Sequence, residues 1–218
     1  MRVITVGASV TASNDLDAEA LREEMKGTGT LLVNLMSSPG SGKTTLLSRL
    51  IRDMEDLRIA VMDADIDSTV DADRIAALGA KAVQIHTGGM CHMDAGMTAE
   101  GLRSLDGESD LVFLENVGNL ICPAEYDTGA GLNLMILSVT EGDDKPLKYP
   151  LMFRESDGLV VSKTDALGYF DFDLEKCASR VRALNPDIRI FPVSAKTGEG
   201  MEALENWLRE RLNEWRNN

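Results

Sequence analysis

The sequence predicts an α/β protein, a three-layer sandwich whose mostly parallel sheet carries helices on both faces. Three observations predict it. Short apolar runs recur from residue 30 onward, nearly continuous rather than alternating, as strands buried on both faces require. Amphipathic stretches at helical spacing lie between them. A glycine-rich turn, Gly40-Ser41-Gly42, joins the first run directly to the first of those stretches. Repeated strand–helix alternation implies right-handed crossovers, hence parallel strands.

In chain order, a helix is expected first over Asn14–Lys26, with Asn14 as its cap. The "KGTG" that follows reads as a hinge, which makes residues 1–28 an N-terminal extension with a short helix and 29–218 the main domain. Strands are expected at 30–36, 57–63, 81–86, 110–116, 132–140, 157–163 and 188–194. Helices are expected near 43–54, 68–78, 94–105, 147–155, 172–184 and 200–214. In the last of these, Leu204, Leu208, Leu212 and Trp215 form one core-facing stripe. Cys177 shares a stripe with Leu174, Val181 and Leu184, which places it in the core.

Composition excludes several classes. With 44% hydrophobic and 27% charged residues, the 218-residue chain is an ordinary globular domain. A net charge of −14 disfavours nucleic acid and anionic membranes as partners. No apolar run approaches the roughly 20 residues of a membrane helix. The start has no basic segment followed by an apolar core, so export is not expected. Three cysteines, at 91, 122 and 177, cannot pair completely, which argues against a disulfide framework and for a reduced, cytoplasmic setting.

The glycine-rich turn is the first functional signal. Between a buried strand and a helix, Pro39-Gly40-Ser41-Gly42-Lys43-Thr44-Thr45 lets successive backbone N–H groups point at phosphate oxygens, and the helix adds its positive end. Lys43 would reach the β- and γ-phosphates, and the Thr44 hydroxyl would ligate Mg²⁺. The strict phosphate-loop pattern asks for Gly where this chain has Ser37, but strand and helix context both fit. This is a P-loop of the nucleoside-triphosphatase type.

The base-reading residues come later. "VVSKTDAL" resembles the guanine-specifying N-K-x-D motif of GTPases, with Ser162 in place of Asn. The Asp165 carboxylate can accept from guanine N1–H and the 2-amino group, and the Lys163 stem would cover the purine. Ser194-Ala195-Lys196 resembles the companion S-A-K loop, whose backbone faces guanine O6. GTP rather than ATP is expected. Among Asp63, Asp65, Asp67 and Asp71, Asp65 is the best Mg²⁺ ligand or water-positioning residue. Asp71 and Asp73 fit a helix N-terminus equally well. Glu115 and Gly118 in "LENVGNL" have the spacing of a D-x-x-G switch: Glu115 could hold a Mg²⁺-bound water, and the Gly118 N–H could sense the γ-phosphate.

"TGGMCHMDAG" sets Cys91 beside His92, a pair open to three readings: metal ligation, redox chemistry or packing. Neighbours on a regular strand point to opposite faces, so both could bind one ion only where the backbone is irregular, which Gly88-Gly89 permits. Met90 and Met93 flank the pair, and packing is the expectation for both. Cys122 follows Gly118 by four residues, inside the segment that should move with the γ-phosphate.

Together, "NLMSSPGSGKTTLL", "CHMDAGM", "ENVGNLICPAEYD", "SVTEGDDKPLKYP" and "SAKTGEGM" resemble the HypB family, GTPases that help insert nickel into [NiFe]-hydrogenase; the resemblance spans roughly residues 30–214. It implies the GTPase class of the signal-recognition particle and urease-accessory proteins, with GTP-dependent homodimers. It implies that Cys91, His92 and Cys122 ligate Ni²⁺ or Zn²⁺, with GTP/GDP and Mg²⁺ at the P-loop. The implied partners are a hydrogenase large-subunit precursor and other nickel accessory proteins. Slow hydrolysis is expected, because no arginine finger is evident in the switch segments. Three ligands leave an incomplete tetrahedron, which water or a second subunit would complete.

Departures from the family pattern matter. There is neither Cys nor His before His86, so N-terminal nickel storage motifs are missing. His86 and Gly89 stand where relatives carry Asn and Lys, which leaves His86 as an extra ligand or a strand-end histidine, and Lys145 or Lys148 as substitute lysines. Two other readings stay in view. One is a chaperone of the same class for urease or a cobalamin enzyme, although urease-accessory relatives have C-P-H where this chain separates Cys91-His92 from Cys122-Pro123. The other is a metal-binding regulatory or storage module with a vestigial nucleotide site, against which the intact Gly42-Lys43-Thr44, Lys163 and Asp165 argue.

Overall fold

Strand pleating sorts the apolar runs onto two faces. In β1 (Leu31–Ser37), Leu31, Val33 and Leu35 join one core, while Leu32 and Met36 join the cores on the opposite face. The structure is a computed structural model that describes residues 8–65 and 74–217; at residues 8–11 and at Asp65 only the backbone is described. The other strands are β2 (Ile59–Asp65), β3 (Lys81–His86), β4 (Leu111–Glu115), β5 (Leu132–Ser138), β6 (Gly158–Ser162) and β7 (Arg189–Pro192). They form one seven-stranded parallel sheet in the order β3-β2-β4-β1-β5-β6-β7. The three-layer α/β class read from the sequence is borne out.

Helix α2 (Lys43–Asp53) buries Leu46, Leu47 and Leu50 on the face of Val33 and Phe113. The C-terminal helix, numbered below, adds Leu204, Leu208 and Leu212 to that same core. On the opposite face, α1 (Ala8–Thr28) and α3 (Ala95–Arg103) cover the β2 and β4 half, with Leu21 and Met25 packed near Leu32, Met62 and Leu114. The β5 and β6 half is covered by α5 (Pro150–Arg154) and α6 (Leu174–Leu184), which bring Met152, Phe153, Cys177 and Val181 against Met135, Leu137 and Val161. The short α4 (Lys145–Lys148) precedes α5, and α7 (Met201–Asn217) ends the chain.

Strand β1 is central. The chain turns toward β2 after β1 and toward β5 after β4, so the C-terminal end of β1 is a topological switch point, where α/β sheets open a ligand crevice.

Several element expectations change. Asn14 is not a cap: α1 begins at Ala8, and Asn14 lies inside it. Lys26–Gly29, expected as a hinge, closes the helix instead. Gly29 adopts φ 66°, Gly29 N–H donates to the Lys26 carbonyl and Thr30 N–H to that of Met25, a Schellman cap. The helix expected at 147–155 is broken between α4 and α5, because Pro150 brings no N–H and pushes Tyr149 out of helical geometry (φ −130°, ψ 56°). Of the helix expected at 68–78, residues 74–76 are helical and 68–73 lie outside the described residues, as do Asp67, Asp71 and Asp73.

Candidate nucleotide and metal site

The P-loop curls as its glycines allow. Gly40 (φ 73°) and Gly42 (φ 101°) occupy the left-handed region, and Gly42 leads directly into α2. Lys43 folds back into the loop: its Nζ is 3.1 Å from Ser37 Oγ and 3.8 Å from Glu115 Oε1, with the Lys43 and Glu115 side chains 11% and 6% exposed. Ser37, which breaks the strict motif, thus holds the motif's lysine. Thr44, Thr45, Ala195 and Lys196 line one cleft of about 360 Å³ together with Arg52 and Arg74. Two loops distant in sequence therefore meet where a nucleotide would lie.

The end of β6 clasps this loop. Ser162 Oγ donates to the Ser41 carbonyl at 2.7 Å, and Lys163 Nζ to the Gly40 carbonyl at 2.7 Å. Lys163 takes φ 61°, the one positive φ outside glycine among the described residues, which turns its stem across the P-loop. A Cβ at Gly42 would sit 3.6 Å from Lys163 Cε. Ser194 Oγ donates to Asp165 Oδ1 at 2.7 Å, and Lys196 Nζ lies 3.9 Å from Oδ2. Asp165 is thereby oriented with its second oxygen left to a ligand.

At the end of β4, Gly118 is pressed onto the P-loop. A Cβ there would meet Pro39 Cγ, N and Cα at 3.0, 3.1 and 3.2 Å, so glycine is required for contact this close. Asp65 ends β2 in register with His86, on the same sheet edge.

Both free cysteines of the two flanking segments converge: the Cys91 thiol lies 2.8 Å from Cys122 Sγ. Cys91 is exposed; Cys122 opens a 3-10 turn, Cys122–Ala124, and Asn119 Oδ1 accepts from the N–H groups of Ile121 and Cys122. The hydrogen bond with Cys91, more than burial, raises the Cys122 thiol above its ordinary pKa. His92 is turned elsewhere. It is 6% exposed, stacks on Tyr126 at 3.7 Å between centroids and 11° between planes, and keeps Nδ1 3.8 Å from Cys91 Sγ. Burial lowers its pKa against the opposing pull of Asp94 and Glu125. Among the described residues no group of three or more His, Cys, Asp or Glu side chains is arranged to hold an ion. The structure thus brings Cys91 and Cys122 together but adds neither His92 nor His86 as a third ligand. Two thiols fit a borderline cation such as Ni²⁺ or Zn²⁺ as half of a tetrahedral set. The candidate substitute lysines are engaged locally, Lys148 with Asp144 at 2.6 Å and Lys145 over the Tyr149 ring.

Sequence reasoning missed the asparagines behind this site. Asn116 Oδ1 accepts from Val117 N–H at 2.9 Å and Met93 N–H at 3.2 Å, while its Nδ2 donates to Asn34 Oδ1 at 3.0 Å. Asn34 in turn donates to Asn133 Oδ1, and Asn133 to the Glu155 carbonyl, each at 3.0 Å. The signal was present: Asn34 and Asn133 interrupt apolar strand runs, and a buried amide demands partners. Asn14 was also misjudged. Its Oδ1 accepts from Ala95 N–H at 2.9 Å and its Nδ2 donates to the Asp127 carbonyl at 2.8 Å, while Arg22 grips the Asp127 carboxylate.

A central parallel strand running into a glycine loop, with its lysine buried at the sheet edge and two further loops closing over it, defines a P-loop nucleotide-binding protein. The family model described as "CobW/HypB/UreG, nucleotide-binding domain" matches residues 31–192. The Azotobacter vinelandii hydrogenase maturation factor HypB is 46% identical over 209 residues, 95% of this chain and 69% of that protein. The crystal structure of HypB from Helicobacter pylori in complex with nickel superposes with a TM-score of 0.89 at 40% identity, covering 93% of this chain and 96% of that one. The GDP complex of the signal-recognition-particle receptor FtsY from Elizabethkingia anophelis shares the fold alone (TM-score 0.53, 16% identity, 81% and 65% covered). This chain belongs to the HypB family of hydrogenase maturation factors, as the sequence motifs imply.

Proposed function

We propose that this protein is a GTP-hydrolysing metallochaperone that binds nickel or zinc, delivers nickel during [NiFe]-hydrogenase maturation, and couples metal affinity to nucleotide state and to dimerisation. The observation that carries the reading is the thiol pair. Cys91 and Cys122 meet at 2.8 Å, and Cys122 lies four residues beyond Gly118, which rests on the P-loop. A γ-phosphate that displaces Gly118 would displace one sulfur relative to the other. By linkage, metal must then bias nucleotide binding by the same factor. The nickel complex of the Helicobacter pylori relative supports nickel as the cargo.

In this reading Asp165 and Lys163 select guanine, with Ser194, Ala195 and Lys196 behind the base. The backbone from Pro39 to Thr45 cradles the phosphates, and Lys43 exchanges its contacts with Ser37 and Glu115 for the β- and γ-phosphates. Thr44 and Asp65 would hold Mg²⁺, whose charge neutralises the phosphates, and Glu115 would orient a water. Hydrolysis forms a bond from water oxygen to the γ-phosphorus and breaks the β–γ bridge, giving GDP and inorganic phosphate at a slow intrinsic rate. Two thiols per chain leave room for donors from water or from a second copy across a two-fold axis. The hydrogenase large-subunit precursor and other nickel accessory proteins are the partners this reading assigns, in the cytoplasm. Among the described residues no helix is long and apolar enough to cross a membrane.

The test is a Ni²⁺ titration with GDP and with a non-hydrolysable GTP analogue. Different affinities in the two states, and loss of binding in Cys122→Ser, are expected. Equal affinities would remove the gating, and unchanged stoichiometry in Cys122→Ser would remove the thiol site.

A further inference from the structure

Between the glycine that touches the P-loop and the loop that carries Cys91 lies a single shared atom. Asn116 is wholly buried, and both lone pairs of its Oδ1 are used: one by Val117 N–H, next to Gly118, the other by Met93 N–H, next to His92 and two residues from Cys91. The oxygen is held in place from behind. The other end of the amide donates to Asn34 in the middle of β1, Asn34 donates to Asn133 at the start of β5, and Asn133 donates to the Glu155 carbonyl. Every amide in this ladder points the same way. Turning Asn116 over would set its NH₂ against two N–H donors and its oxygen against that of Asn34.

We propose that Asn116 is the positioning residue that transmits nucleotide state to the thiol pair, by holding the switch backbone and the cysteine loop on one oxygen. When Gly118 moves on or off the P-loop, Val117 moves with it. Its N–H must then either leave a buried acceptor unmatched or draw the Asn116 amide along, and the amide carries Met93 and the Cys91 loop. The cysteines are thus coupled through a bond that touches neither nucleotide nor metal. The inference rests on the gated-metal reading above and adds the residue that performs the coupling.

The experiment measures Ni²⁺ affinity of the full chain in the GDP state and with the GTP analogue, by the thiolate-to-nickel absorbance, for the unsubstituted protein, Asn116→Ala and Asn116→Asp. GDP affinity and melting temperature are recorded for each. The ratio of the two metal affinities is expected to be about fivefold or more in the unsubstituted protein and about one in Asn116→Ala. Asn116→Asp keeps an acceptor for both N–H groups, and the Asn34 amide can turn to donate to it, so it is expected to keep the ratio. Asn116→Ser reaches at most one of the two N–H groups; it replaces the alanine variant, with the same expectation, if alanine does not fold. An unchanged ratio in Asn116→Ala overturns the inference while leaving the gating intact. So does an equal loss in the alanine and aspartate variants, the mark of a general packing defect. A ratio of one in the unsubstituted protein overturns the gating itself, and the inference with it.

Discussion

Single side chains decide which nucleotide this site reads and which ligands it offers a metal. Asp165 is oriented by the Ser194 hydroxyl, so one carboxylate oxygen is committed to the protein and the other faces outward. Asp165→Asn replaces an acceptor by a donor opposite guanine's N1–H and amino group. GTP affinity should fall about 10–100-fold, the worth of charge-assisted hydrogen bonds, while xanthosine triphosphate binding improves. Equilibrium binding of both nucleotides measures this, and unchanged GTP affinity would sink the guanine assignment. The residue scale also shows where sequence reading reaches. Lys43, Asp165 and Ser194 were legible because each sits in a short motif at a strand end. His92 was not, because nothing in "CHM" announces that Tyr126, 34 positions on, offers its ring as a stacking surface. Ser162 in place of Asn looked like a loss, yet its hydroxyl holds the P-loop through the Ser41 carbonyl.

At the level of elements, the strands were legible because β1, β4 and β6 are buried along their whole length and so carry unbroken apolar runs. Breaks and caps were harder. Pro150 stood in the sequence, but the apolar spacing from Leu147 through Phe153 continued across it and masked the interruption. The segment after β4 carries an element-scale prediction. In Gly118→Ala the added methyl would lie 3.0–3.2 Å from Pro39, partly backbone, so the segment must stand off from the P-loop. Discrimination between the GTP analogue and GDP should shrink toward one, with melting temperature nearly unchanged. Retained discrimination in a nucleotide titration would mean that Gly118 does not sense the third phosphate. The asparagine ladder belongs to this scale too. It crosses β4, β1 and β5 at right angles to the chain, and a linear reading sees three separate polar residues.

For the whole molecule, the edge of the sheet opposite the nucleotide is held by Asp110, whose carboxylate accepts from Arg58 and Arg216 and so joins β2, β4 and α7. These hydrogen bonds, Arg58 first, hold the Asp110 pKa far below the usual carboxylate range despite partial burial. A depressed folded pKa adds stability above the unfolded value of about 3.9, and that part is lost as pH falls toward the folded value. Asp110→Asn should therefore lower the melting temperature by a few degrees at pH 7. The gap from the unsubstituted protein should narrow below about pH 4, near the unfolded carboxylate pKa. A gap that is constant with pH would mean the charge of Asp110 is irrelevant. The N-terminal helix has a different effect on the whole. Through Asn14 and Arg22 it is pinned to Ala95 beyond one cysteine and to Asp127 beyond the other, while Gly118 is pinned from the inside by Pro39. The mobile piece is thus a flap of fewer than ten residues, tethered at both ends and hinged beside the phosphates. A flap that short parts two sulfurs by a small stroke without unseating either neighbouring helix, so an ion can be released without the domain opening.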